Sequence, residues 1–142
     1  MPILRTAARV LLGVFLVVAG VAHFRATESF LGQVPTWLPA RTLVVQVSGV
    51  VEVGLGLALL VAPSSRRAWV GLAVAALFVA VFPGNVSQLA TGTDSFGLDT
   101  TTSRVVRLFF QPVLIGWALW CTGAWHVGAT RWRHRAAGSR TG

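Results

Sequence analysis

Charged residues are scarce in this chain of 142 residues, and acidic residues are the scarcest. Only 11% of the residues are charged and four are Asp or Glu, whereas 54% are hydrophobic and the mean hydropathy is +0.70. Few water-soluble domains of this size could carry such a composition. The chain is therefore predicted to be an integral membrane protein.

Cysteine is almost absent as well, since Cys121 stands alone inside an apolar run. A single cysteine excludes an intramolecular disulfide, a CxxC pair and a cysteine cluster for zinc or iron–sulfur. About four membrane spans of about 20 residues would use most of the length and leave none for a soluble catalytic domain. We expect no metal site and no independent enzyme, and at most a subunit of a membrane redox complex.

The basic residues are 12 arginines, which give a formal net charge of +8 and a pI near 12.0. Nucleic-acid binding proteins reach similar values, but they cluster their cations on one face of a folded core. Here the arginines fall between long apolar runs that contain almost none. The lipid bilayer is therefore the predicted partner, and nucleic acid is not expected.

Four apolar runs predict membrane spans at about 7–24, 43–62, 68–88 and 105–127. No run alternates with the period of two that a barrel strand needs. We predict an all-α four-helix bundle in one membrane domain, residues 1–128, followed by a basic cytoplasmic tail, residues 129–142. A cleaved secretion signal is the alternative for the first run and would leave three spans.

The distribution of arginine predicts the orientation in the membrane. With the N-terminus in the cytoplasm, that side carries eight arginines and the other side four, so the positive-inside rule places both termini in the cytoplasm of a bacterium. The first outer loop, residues 25–42, is predicted to contain a short, capped interfacial helix. The short inner loop, residues 63–67, is expected to join spans two and three as an antiparallel pair.

Small residues recur along one face of each of the first three spans. Gly13 and Gly20 share a face of the first span, and Gly56 lies one turn after Glu52 on the second. Gly71 begins a similar series of small residues on the third span. Such faces let helix backbones approach closely in lipid. Close contacts between the spans are therefore expected.

Polar residues occur in all four predicted spans, and with this orientation they share the outer half of the bundle. They are His23, Glu52, Asn85, Gln88, Arg107 and Gln111. Glu52 lies near the midplane, where a carboxylate costs roughly 2.5–3.5 kcal/mol, so it needs a partner or must be protonated. Pro83 removes a backbone donor from the third span and leaves a carbonyl group near residue 79 available to this cluster.

Two interpretations of the polar cluster remain open. In the first, the cluster forms an outward-facing intramembrane pocket for a small molecule such as a quinone, with Glu52 and His23 exchanging protons and Arg107 as a fixed charge. In the second, it is a hydrogen-bonded network that fixes helix register. No cofactor is evident from a motif, so quinone rests on the first interpretation alone.

The order and spacing of these residues resemble the DoxX-like family of small four-helix membrane proteins. The resemblance rests on Gly20, Ala22, His23, Phe24, Val34, Pro35, Trp37, Leu38, Pro39, Ser48, Gly49, Glu52, the stretch 54–60, Phe82, Pro83, Gly84, Asn85, Arg107 and Gln111. It implies a membrane protein associated with a redox enzyme, because the family is named after a subunit associated with thiosulfate:quinone oxidoreductase. Relatives linked to methylamine utilisation and receptor assembly show that it implies little about chemistry.

Three functions therefore stand as expectations. The first is an accessory or anchoring inner-membrane subunit whose partner is a redox enzyme or another membrane protein. The second is a small proton-linked transporter that uses Glu52, although four short spans without inverted repeats count against it. The third is a membrane chaperone or assembly factor without a ligand.

Overall fold

The computed structural model describes residues 1–93 and 100–127, which form five helices and contain no strand. The helices are α1 (Pro2–Arg25), α2 (Thr27–Leu31), α3 (Arg41–Val61), α4 (Ser64–Thr91) and α5 (Thr101–Thr122). The prediction of an all-α protein is confirmed for these residues. The predicted basic tail, 129–142, lies outside them.

Four of the helices, α1, α3, α4 and α5, are long and apolar enough to cross a membrane, which makes this a multi-pass membrane protein. α1 and α4 begin several residues before the predicted spans. Pro2 occupies the first position of α1, which suits proline, and Pro63 is the extended residue that immediately precedes α4. α5 ends at Thr122 rather than near residue 127, because Gly123 adopts φ 73°, the left-handed conformation that terminates helices.

α1 and α3 form the closest pair of helices, and glycine residues make their contact possible. A Cβ atom on Gly20 would lie 2.7 Å from the carbonyl oxygen of Gly49, and one on Gly56 would lie 2.8 Å from that of Gly13. These distances leave no room for any side chain. The small-residue faces predicted from the sequence therefore correspond to real backbone contacts, as in other membrane helix pairs.

α4 and α5 form the second pair, and Gly71 of α4 packs directly against the side chain of Thr122. α3 and α4 are joined by only two residues, yet each makes most of its contacts elsewhere, with α1 and α5 respectively. α3 and α4 also contact each other, but this contact is the less extensive one for both helices. The two pairs meet in an apolar core, and the indole nitrogen of Trp117 donates to the carbonyl of Ala8 at 3.1 Å across α5 and α1.

α2 and the segment that follows it cover the end of the molecule between α1 and α3. The guanidinium of Arg41 donates to the carbonyl groups of Val34 and Leu31 and so holds this segment in place. α2 has no side-chain cap, which corrects the prediction of a capped helix. The Thr27 hydroxyl instead donates to the carbonyl of His23, 2.8 Å away, in the last turn of α1.

Candidate functional site

A cavity of about 620 Å³ lies beneath α2 and the segment 32–40, between α1, α3, α4 and α5. We call it the polar cavity. Its polar lining residues are His23, Gln33, Ser48, Glu52, Asn85, Arg107 and Gln111. The remaining wall is apolar and includes several aromatic rings, among them Phe30, Phe78 and Phe110. This combination of an apolar wall with a few converging polar groups is typical of small-molecule sites, which range over roughly 300–1,000 Å³.

Glu52 and His23 form the most unusual pair in the cavity. Glu52 lies about 17 Å along α3 from Arg41, near the middle of a span. Its Oε2 atom is buried and accepts no hydrogen bond from the described residues, although Nδ1 of His23 lies 3.5 Å away. Nδ1 has a closer acceptor in the carbonyl of Ala19, at 2.8 Å, so its hydrogen is directed there rather than to the carboxyl group.

Glu52 and His23 have further neighbours in the cavity wall. Ser48, one turn before Glu52 on α3, lines the same cavity. The His23 ring stacks on Phe30 of α2, with the ring centroids 3.7 Å apart. The covering segment therefore contacts the pair directly, and one carboxyl oxygen remains to accept or donate a proton within the cavity.

Asn85 and Gln111 form a buried amide pair between α4 and α5. Nδ2 of Asn85 donates to Oε1 of Gln111 at 2.7 Å, and Nε2 of Gln111 donates to the carbonyl of Phe78 at 2.6 Å. That carbonyl belongs to the turn before Pro83, one residue from the position expected from the sequence. The amide pair satisfies polar groups that would otherwise be exposed to lipid or to an apolar core.

Arg107 links α5 to the covering segment, because its guanidinium donates to Oε1 of Gln33 at 2.9 Å. The approach of this segment to α4 requires Gly84. A Cβ atom there would lie 2.8 Å from the carbonyl oxygen of Gln33. Gly84 thus leaves room for the backbone of Gln33, and Arg107 holds the side chain of Gln33 over the cavity.

Five of the six predicted site residues line the polar cavity, and Gln88 does not. Gln88 is buried further along α4, where Nε2 donates to the carbonyl of Thr93 at 3.3 Å. Gln33 also lines the cavity, but the sequence did not predict it as a site residue, because Gln33 lies in a loop with no periodicity. Pro112, next to Gln111 in α5, was not among the predicted features of the site either, although a proline inside a span weakens the helix at that point.

The chemistry available to the polar cavity is hydrogen bonding and proton exchange. Across residues 1–93 and 100–127, no group of three His, Cys, Asp or Glu side chains could hold a metal ion. Glu52 and His23 can exchange protons with a bound molecule, while Arg107 and the amide pair can orient it. The aromatic and aliphatic wall would exclude water from its apolar part.

The family comparison identifies one match. The model of a family described as a domain of unknown function (DUF8561) matches residues 12–122, which include α1 from residue 12 onward, all of α3, α4 and α5, and every polar residue of the cavity. No curated protein and no solved structure matches the chain.

Proposed function

This chain belongs to the DUF8561 family, and we propose that it binds a small amphipathic molecule, such as a quinone, in the polar cavity. The observation that carries the proposal is Oε2 of Glu52, a buried carboxyl oxygen that faces a cavity and accepts no hydrogen bond from the described residues. Burial of such a group is costly unless something pairs with it. A bound hydroxyl group would donate to this oxygen, and a bound carbonyl group would accept from it when the carboxyl group is protonated.

The shape of the cavity supports a ligand with a polar head and an apolar body. Its polar groups come from α1, α3, α4 and α5, whereas Phe15, Val44 and Phe110 provide apolar wall on the lipid-exposed parts of α1, α3 and α5. A quinone head group has oxygen atoms on opposite sides of a flat ring. Glu52 and Arg107, on different helices, would hold such a head group between them, with Phe30 available for stacking.

We place the protein in the bacterial inner membrane as a four-helix bundle with both termini in the cytoplasm, since eight arginines then lie on the cytoplasmic side and four on the other. The polar cavity then opens toward the outer half of the bilayer. We also propose the DoxX-like relationship on the residues given above. Together these support an accessory or anchoring subunit beside a redox enzyme rather than an enzyme by itself.

Thermal unfolding of the purified protein in dodecyl maltoside tests the binding site, with decylubiquinone as the probe. At a concentration about 100 times Kd, a ligand that binds only the folded state stabilises it by about 2.7 kcal/mol, and the midpoint rises by several degrees. Glu52→Gln should lose most of this rise. Glu28→Gln, the same change on an exposed residue of α2 outside the cavity wall, should retain it.

Two results would contradict the proposal. If decylubiquinone leaves the midpoint of the parent protein unchanged, the cavity does not bind a quinone. If Glu52→Gln and Glu28→Gln respond equally, Glu52 does not contact the bound molecule. Uptake of a solute into proteoliposomes, driven by a proton gradient and lost in Glu52→Gln, would favour a transporter instead. The co-purification of a redox enzyme from native membranes tests the role as an accessory subunit.

A further inference from the structure

A second cavity, of about 540 Å³, lies at the opposite end of the four long helices. We call it the basic cavity. Its walls are the first turns of α1 and α4 and the last turn of α5, and they include Arg5, Arg9, Ser64, Arg67, Cys121 and Thr122. Three guanidinium groups therefore surround one space, and the proposed function of the polar cavity assigns them no role.

Arg9 is the deepest of these cations and is only 6% exposed. Its Nη1 atom donates to the carbonyl groups of Leu59 and Leu60, in the last turn of α3, where intrahelical donors run out. No acceptor among the described residues bonds to Nε or Nη2, so three of its five N–H groups remain available beside the cavity. Capping of α3 therefore accounts for the Nη1 atom of Arg9 but not for its Nε and Nη2 atoms.

Arg67 and Arg5 bring further donors to the same space. Nε of Arg67 donates to the carbonyl of Ala62 at 3.2 Å, which leaves the terminal nitrogens of Arg67 available. The guanidinium of Arg5 lies 5.9 Å from the ring centroid of Trp120, a cation–π contact that does not use its N–H groups. Capping of α3 therefore does not account for the convergence of the three arginines.

Two helix N-termini add to the positive potential. Met1 and Pro2 at the start of α1 line the cavity, as does Ser64 in the first turn of α4, and neither helix has a side-chain cap. The first N–H groups of a helix and its dipole favour an anion. Acidic residues occur in this chain only at positions 28, 52, 94 and 99, and none of the described residues that line the cavity is acidic.

We propose that the basic cavity binds a phosphate-bearing anion, either the headgroup of an anionic phospholipid or a free phosphate. Arginine presents paired N–H groups that match phosphate oxygens, and a bound anion would offset the repulsion among three arginines that have no carboxylate beside them. Basic pockets between membrane helices bind phospholipid headgroups by the same chemistry. The cavity volume exceeds that of a single phosphate and leaves space for the glycerol part of a headgroup.

Thermal unfolding of the full-length protein, delipidated in dodecyl maltoside, distinguishes the two sources. Inorganic phosphate is titrated at constant ionic strength with sodium chloride, and short-chain phosphatidylglycerol is titrated against phosphatidylcholine of the same chain length. A rise of the midpoint with phosphatidylglycerol alone identifies a lipid headgroup, and a rise with inorganic phosphate identifies a free anion. If neither raises the midpoint, the proposal is wrong.

Neighbouring arginines provide a matched pair of variants. Arg67→Gln should weaken the apparent affinity by about ten-fold, because a charge-assisted hydrogen bond is lost. Arg66→Gln makes the same change in charge at an exposed position that does not line the cavity, and it should bind as the parent does. Equal losses in the two variants would indicate diffuse attraction and overturn the site. Arg5→Gln repeats the test without removing any hydrogen bond to α3.

Discussion

The polar cavity and the basic cavity lie at opposite ends of the same four helices, and they differ in how their polar groups are satisfied. In the polar cavity, protein donors meet protein acceptors at two places, because Arg107 donates to Gln33 and Asn85 donates to Gln111, and Oε2 of Glu52 is the buried exception. In the basic cavity, the charged side chains are arginines, which only donate, and the acceptors that they meet are a few carbonyl groups at the end of α3.

The distribution of acidic side chains adds a second difference. Glu52 lies near the middle of α3 and lines the polar cavity, whereas residues 53–61, whose last turn approaches Arg9, contain no acidic residue. The polar cavity therefore suits a molecule without net charge, held by hydrogen bonds. The basic cavity suits an anion. Variants that affect one cavity and spare the other test this contrast.

The largest effect is expected from a change that disturbs both cavities by separating α1 from α3. In Gly20→Ala, the new Cβ would lie 2.7 Å from the Gly49 carbonyl oxygen, and overpacking of this kind costs about 1–3 kcal/mol or more. The midpoint of thermal unfolding should fall, with the responses to decylubiquinone and to the phosphate ligands weakened together. Gly54→Ala, with no atom within 4 Å of its Cβ, is the control and should be neutral or slightly stabilising.

A thermal midpoint for Gly20→Ala equal to that of Gly54→Ala would contradict the backbone contact between α1 and α3. A lower midpoint with only one ligand response weakened would show that the two cavities do not depend on the same helix pair.

A smaller effect, confined to the basic cavity, is expected from Arg9→Gln. Loss of the hydrogen bonds to the Leu59 and Leu60 carbonyls should cost about 1–2 kcal/mol of stability, because those carbonyls are left without a donor. The affinity for decylubiquinone should stay the same, because Arg9 does not line the polar cavity. Arg5→Gln, the same change one turn earlier at an exposed position, should cost about 0.5 kcal/mol at most.

Thermal unfolding with and without each ligand measures both quantities for Arg9→Gln. A loss of quinone affinity in this variant, at unchanged stability, would show that the two cavities are coupled and would weaken the contrast between them.

The smallest effect is expected from Gln111→Leu, which removes the amide pair of the polar cavity. Buried hydrogen bonds between membrane helices average about 0.6 kcal/mol each, so the two bonds of Gln111 should together contribute about 1 kcal/mol. Gln46→Leu, at an exposed position of α3, is the control and should not destabilise. The response to phosphate ligands should be unaffected in both.

A double-mutant cycle with Asn85→Leu sharpens this result. The double variant should be less unstable than the sum of the single variants, because removal of both partners leaves no buried amide unpaired. Additive losses would mean that Asn85 and Gln111 do not interact as the distance of 2.7 Å indicates.

Much of the fold could be predicted from the sequence, because apolar runs of a given length must become helices in a bilayer, where every backbone group has to be satisfied internally. The helix ends were less predictable. α5 ends at Thr122 because Gly123 adopts a positive φ, and the apolar run from which the span was predicted to reach residue 127 does not report that conformation. The hydropathy pattern also did not predict which helices pack together. α3 and α4 are neighbours in the chain, but α3 packs mainly against α1 and α4 mainly against α5.

The site was predicted in part for a related reason. Polar residues at span depth, such as Glu52 and Gln111, are conspicuous in an apolar background, and depth alone suggests that they share one half of the molecule. Depth does not tell which way a side chain faces around its helix, and Gln88 therefore appeared equivalent to Asn85. Gln33 lies in a loop, where no period predicts a neighbour, so its contact with Arg107 could not be foreseen.

By itself, the sequence determined that the chain enters a membrane, how many helices could cross it, and where the few acidic residues stand along them. Composition and run length are enough for these conclusions, because transfer into lipid depends on local hydropathy. Only the tertiary structure decided that Arg9 turns inward to the end of α3 and that two cavities of opposite character form. Those outcomes depend on helix rotation and on glycine contacts such as Gly20 with Gly49, which arise only when the helices pack.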